Sequence, residues 1–107
     1  MRADDPYILD SYGWLLFKKG KTKDAMKLLE KAYAHKPEEA IIAEHLGDIY
    51  VALNFGNNAL KAYTAAHEHF IKIDEKNRVE EKIKNVKTAV ARKELAADER
   101  DPASLSK

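Results

Sequence analysis

Apolar residues recur along this chain in steps of three and four. In residues 22–35, Ala25, Leu28, Leu29, Ala32 and Tyr33 fall at i, i+3, i+4, i+7 and i+8, the stripe of an amphipathic helix. In the stretch after residue 57, Ala59, Tyr63, Ala66, Phe70 and Ile73 form one continuous stripe, and further on Val79, Ile83, Val86 and Val90 step by 4, 3 and 4. Nothing alternates with period two over a useful length, so no strand is predicted. The pattern predicts an all-α chain of five helices at about 6–18, 22–35, 38–52, 57–73 and 77–97.

The few glycines and prolines fall between these segments. Asp4-Asp5-Pro6 reads as an N-cap followed by proline in the first turn. Gly20 is a stop, with Thr22 a candidate cap for the next helix. Pro37, followed by Glu38 and Glu39, predicts a helix start with acids against the positive end of the dipole. Asn54 to Asn58 reads as a turn, and Asn77 with Glu80 has the spacing of a capping box. The polar stretch from Asp98 to Lys107 reads as a flexible tail.

A shift of 34 residues lays 6–36 on 40–70 with six identities: Ile8/Ile42, Gly13/Gly47, Ala25/Ala59, Lys27/Lys61, Ala32/Ala66 and His35/His69. Tyr12/Leu46, Leu15/Ile49, Leu16/Tyr50, Phe17/Val51, Met26/Leu60 and Leu29/Tyr63 pair conservatively. A mid-helix glycine costs about 1 kcal/mol relative to alanine. Gly13 and Gly47 therefore point to close helix–helix approach, with the small Ala25/Ala59 and Ala32/Ala66 opposite them. Tyr12/Leu46 and Leu16/Tyr50 are expected to fill the gaps between successive hairpins.

These residues resemble the tetratricopeptide repeat (TPR). Tyr12-Gly13, Leu16, Ala25, Leu29, Ala32 and Pro37 fit its pattern once, and Leu46-Gly47, Tyr50, Ala59, Tyr63 and Ala66 fit it again. The family's tryptophan-type position falls on the smaller Leu9 and Ala43, and Ile71 stands where the closing proline belongs. Without that proline, the fourth helix is expected to run one turn longer and the second repeat to be the last. The resemblance implies a right-handed solenoid: a lead at 1–5, repeats at 6–39 and 40–74, a capping helix at 75–97 and a tail at 98–107. The stretches Asp10–Phe17 and His45–Asp48 also resemble the C-terminal repeats of long bacterial arrays, TPR lipoproteins among them.

Composition narrows the chemistry. The chain has 107 residues, no cysteine, and Lys+Arg 19 against Asp+Glu 18. One small domain with balanced charge carries no bulk pull toward nucleic acid or anionic lipid. The absence of cysteine removes thiolate chemistry, disulfides and Cys-ligated zinc. His35, His45, His67 and His69 have no metal-binding spacing, no glycine-rich phosphate loop occurs, and Ser11, Ser104 and Ser106 lack a base. No enzyme, cofactor or metal site is expected. Lys18, Lys19, Lys21 and Lys23, and Arg78, Lys82, Lys84, Lys87, Arg92 and Lys93, read as solvated faces, so no nucleic-acid partner is expected. The longest apolar runs, such as Trp14–Phe17, are far short of a membrane span, so a soluble chain is expected. Its compartment would be the cytoplasm or, within an exported lipoprotein, the bacterial periplasm.

What the TPR resemblance implies is binding of a protein or peptide on the concave face lined by the first helix of each repeat. The groove positions carried over are Asp10, Trp14, Phe17 and Lys18, then Ile41, Glu44, His45, Asp48 and Val51. Trp14 and Phe17 are expected to anchor an apolar residue, with Asp10, Glu44 and Asp48 favouring a basic one. The same acids argue against TPR domains that clamp a C-terminal carboxylate. The alternative reading is structural. Tyr7, Ile8 and Leu15 on the outer face of the first helix have no preceding repeat to cover them, which suits self-association or the end of a longer array.

Overall fold

A computed structural model describes residues 5–97. The leading residues 1–4 and the tail 98–107 lie outside the described part. Among the described residues there are five helices and no strand: α1 (Pro6–Lys18), α2 (Thr22–His35), α3 (Ala40–Ala52), α4 (Gly56–His69) and α5 (Ile73–Ala91). Every boundary of α3 and α4 lies 34 residues after its counterpart in α1 and α2. The turns repeat as well. Gly20 (φ 83°) and Asn54 (φ 67°) occupy the same left-handed position between first and second helices. Asparagine tolerates that conformation better than most side chains.

Local chemistry starts α1 firmly. Pro6 occupies its first turn, and Asp5 Oδ1 accepts hydrogen bonds from the amides of Tyr7 (2.8 Å) and Ile8 (3.3 Å). Elsewhere the predicted caps shift. Thr22 is the first helical residue of α2 rather than its cap, and Glu38 and Glu39 precede α3.

Within each hairpin the two helices touch at the repeated glycine. A Cβ at Gly13 would collide with the Leu29 side chain, and one at Gly47 would lie 2.5 Å from the Tyr63 ring. Ala25, Leu29 and Ala32, and Ala59, Tyr63 and Ala66, are buried as the repeat pattern requires. The core runs continuously from Leu9 through Ile42, Ala43, Leu46, Ile49 and Tyr50 to Val79 and Val86. Tyr12 departs from expectation: it is exposed, whereas Leu46 is buried.

The end of the second hairpin also departs from expectation. α4 stops at His69, as α2 stops at His35, although no proline follows. Phe70 adopts an extended conformation (ψ 142°) and buries its ring, leaving Ile71 exposed. The turn is thus made by burial of Phe70, with the Arg78 guanidinium 5.4 Å above its ring. Ile73 belongs to α5 and faces solvent, so the stripe drawn through it breaks at Phe70. α5 starts earlier than the pattern predicted, which places Asn77 and Glu80 inside the helix rather than at a cap. It ends at Ala91, and residues 92–97 turn back, with Lys93 at φ 61°.

Candidate functional site

The positions expected to line the groove on α1 and α3, with their counterparts on α5, form a ladder of paired side chains. Positions 10, 44 and 78 are related by the 34-residue period, as are 14, 48 and 82. At the first rung, His45 Nδ1 lies 2.8 Å from Asp10 Oδ1, and the His45 ring stacks on Trp14 at 4.0 Å between centroids. Phe17 tilts against Trp14 at 5.1 Å, and Lys18 Nζ sits 5.1 Å from the indole centroid. Trp14, Phe17 and His45 are half-buried and Lys18 is exposed, so the platform keeps an open side.

The second rung is closed by α5. Glu44 is buried and receives a bidentate Arg78: Nε donates to Oε2 at 2.8 Å and Nη2 to Oε1 at 2.7 Å. Lys82 Nζ donates to Glu44 Oε2 at 2.9 Å and to Asp48 Oδ1 at 3.0 Å. Tyr63 Oη donates to the same Asp48 oxygen at 2.5 Å. The charges set each other's protonation. Burial pushes the Glu44 carboxyl upward, but hydrogen bonds from Arg78 and Lys82 outweigh it and hold it below the usual range. Burial opposes the charge on Lys82, and the bonds to Glu44 and Asp48 raise it above the usual ammonium value nonetheless. Tyr63 is driven upward by burial and by its bond to Asp48, so its phenol stays neutral. No buried side-chain nitrogen or oxygen among the described residues lacks a partner.

The structure therefore brings Asp10, Trp14, Phe17, Lys18 and His45 together, and separately Glu44 and Asp48. Ile41 is exposed at the start of α3, beside the loop before α5, and Val51 is half-buried against the core. Arg78 and Lys82, read from the sequence as part of a solvated face, are the partners of the groove acids. The period that aligned the glycines also carries 44 to 78 and 48 to 82, and applied to charges it finds these pairs.

A second contact fixes α5 from its far end. Asn54 Oδ1 accepts from the Ala96 amide at 2.8 Å, the Gly56 amide donates to Ala96 O at 2.8 Å, and Asn57 Nδ2 donates to Ala97 O at 2.6 Å. The α3–α4 turn thus grips the backbone after α5, with Leu95 buried beside it. Gly56 must lack a side chain, because a Cβ there would sit 2.5 Å from Ala96 O.

Among the described residues, no cluster of three or more metal-ligating side chains occurs. None of their helices is long and apolar enough to cross a membrane.

The chain is 42% identical over 48 residues to a TPR repeat-containing protein of Pseudomonas aeruginosa; the match covers 45% of this chain and 8% of that protein. The chain thus spans only a small part of that relative's length. No protein-family model matches the chain, and no solved structure does. The matched relative, the five helices and the 34-residue period agree on a TPR-like helical-repeat fold, a class whose general role is protein–protein interaction.

Proposed function

We propose that this protein is a protein-interaction module that holds a peptide or partner segment on the open half of its concave face. The observation that carries the proposal is the Trp14 platform: an indole stacked on His45, edged by Phe17 and Lys18, with Asp10 behind it. Aromatic surface next to a charged rim suits an apolar anchor residue. Of the groove acids, Glu44 and Asp48 are engaged by α5, so preference for a basic flanking residue rests on Asp10 and on competition with Lys82. On this reading the chain is an adaptor or scaffold of the bacterial helical-repeat kind and not an enzyme.

The test is selection of peptides from a displayed random library on the immobilised full chain, followed by titration of the winners. Trp14→Ala should weaken them tenfold or more while the helical circular dichroism is kept. Equal affinity for the variant would remove the platform as the site.

A second reading, a structural role as the end segment of a longer array, is favoured by the outer face of α1. There Ile8, Tyr12 and Leu15 are all exposed.

A further inference from the structure

The joint between α4 and α5 places two isoleucines in water. Ile71 is 91% exposed and Ile73, the first residue of α5, is 71% exposed. The fold does not ask for either of them. Phe70 makes the turn by burying its ring, and one period earlier Pro37 and Glu39 stand where Ile71 and Ile73 stand here. An aliphatic side chain held in water forgoes the stabilisation that its burial would bring. A lone one is ordinary on a protein surface, but these have company. Ile71 lines a shallow hollow of about 500 Å³ between the start of α3 and the loop before α5, and the exposed Ile41 lines it from the other side. Glu38, Glu39 and Glu75 border the same hollow, against the single ammonium of Lys72. Asp74, exposed next to Glu75, adds a further carboxylate. Glu39 accepts from Tyr7 Oη at 2.8 Å, whereas the side chains of Glu38 and Glu75 hold no hydrogen bond or ion pair among the described residues.

We infer that this loop edge is a docking surface, separate from the Trp14 platform, for a segment of another protein that carries an aliphatic anchor flanked by lysine or arginine. The anchor displaces water from Ile41 and Ile71, and the flanking cations meet the carboxylates of Glu38 and Glu75. The excess of acid over base on the rim selects the charge of the partner. The hollow is open along one side, which suits side chains of a docked segment better than an enclosed small molecule. A second copy of this chain fits less well. Its densest cationic stretch, Lys18, Lys19, Lys21 and Lys23, encloses only Gly20 and Thr22 and brings no apolar anchor. The apolar residues among the cations of α5, Val79, Ile83 and Val86, are packed into the core.

The experiment selects peptides from a displayed random library on the immobilised full chain and sorts the winners on the variant Ile71→Ser with Ile73→Gln. That variant should keep the helical circular dichroism, because Pro37 and Glu39 serve at the equivalent places in the first loop. The expected result is a set of winners that the variant no longer holds, with leucine, isoleucine or valine beside lysine or arginine. The strongest of them, made as a synthetic peptide, should bind the variant about tenfold more weakly. Glu38→Gln with Glu75→Gln leaves the apolar side chains in place and should weaken the same peptide several-fold while reducing its salt dependence. This second variant decides the matter alone if the first one unfolds. Chemical-shift changes on adding the peptide should centre on residues 38–41 and 69–75. The inference is overturned if no winner distinguishes the variants from the natural chain, or if the winners that do so are acidic. Winners kept by the loop variant and lost with Trp14→Ala belong to the aromatic platform; the loop edge is then no site, and the proposed function stands. If the natural chain self-associates with concentration and the loop variant does not, a second copy covers the edge and the inference falls.

Discussion

α1–α2 and α3–α4 begin and end at positions 34 residues apart, share the glycine contact, and meet very different surroundings. α3 is enclosed by a hairpin on one side, α4 on another and α5 across its groove face. Among the described residues α1 packs against α2 and the following α3, and its outer face is exposed. The first turn places nothing within 4 Å of a Cβ at Gly20, whereas the second turn grips Ala96 and Ala97. The backbone of a repeat is thus set by its local sequence, while the state of its faces is set by its neighbours. Glu44 and Asp10 occupy equivalent positions, and one is a buried carboxylate holding two cations while the other holds a single histidine.

The sharpest way to break this comparison is to strip α5 of its cations. Arg78→Ala with Lys82→Ala leaves Glu44 buried without a counter-charge. The expected cost is about 3 kcal/mol, read by denaturant unfolding. The converse change, Glu44→Gln, should cost less, because Arg78 and Lys82 can turn to solvent. Acid probes the same rung. The Glu44 carboxyl is held below its ordinary value, so its contribution is complete above about pH 4.5 and is lost as pH falls through the lowered value. Lys82, raised above its ordinary value, contributes below about pH 10.5 and loses that contribution in stronger base. The stability that this rung supplies should hold between these limits and be lost outside them, and Glu44→Gln should make the acid-side loss smaller.

The glycine contacts offer a smaller and more direct comparison. Gly47→Ala drives a methyl into the Tyr63 ring, which is tied by its hydroxyl to Asp48, and should cost about 2 kcal/mol. Gly13→Ala meets the end of the Leu29 side chain, which can rotate, and should cost about 1 kcal/mol or less. Equal losses would mean that Tyr63 moves as freely as Leu29. The most local effect belongs to the second turn: Asn54→Ala removes one hydrogen bond to Ala96 and puts alanine in the left-handed region, and should cost about 1 to 2 kcal/mol. Hydrogen exchange should locate that loss in residues 94–97, and an equal loss of protection in α2 would contradict a local grip.

Much of this architecture is legible along the chain, because its determinants repeat. Gly13/Gly47 and Ala25/Ala59 declare the hairpin contact, and the 34-residue shift fixes where helices begin and end better than single caps do. Thr22 and Asn77 look like caps and are not. The end of α4 is misread when the missing proline at Ile71 is taken to lengthen the helix, since Phe70 ends it by turning into the core. Tyr12 is misplaced for a different reason: a position that packs between hairpins is buried only if the other hairpin is there. Of the candidate site, the contact among Trp14, Phe17 and Lys18 is legible, because they are neighbours on one helix. The pairing of Glu44 and Asp48 crosses 34 to 38 residues between helices, and no local pattern announces it.

The closed and open ends also give the protein a direction in time. A ribosome releases α1–α2 before α3, as a hairpin with one face waiting for it. Glu44 emerges before Arg78 and Lys82, so its carboxylate must stay hydrated until α5 arrives, and the Asn54–Asn57 grip waits for residues 96 and 97. Vectorial synthesis therefore leaves the molecule unsealed until its last described residues appear, and a chain stalled shortly before them would display both a bare apolar helix and an unmet acidic groove.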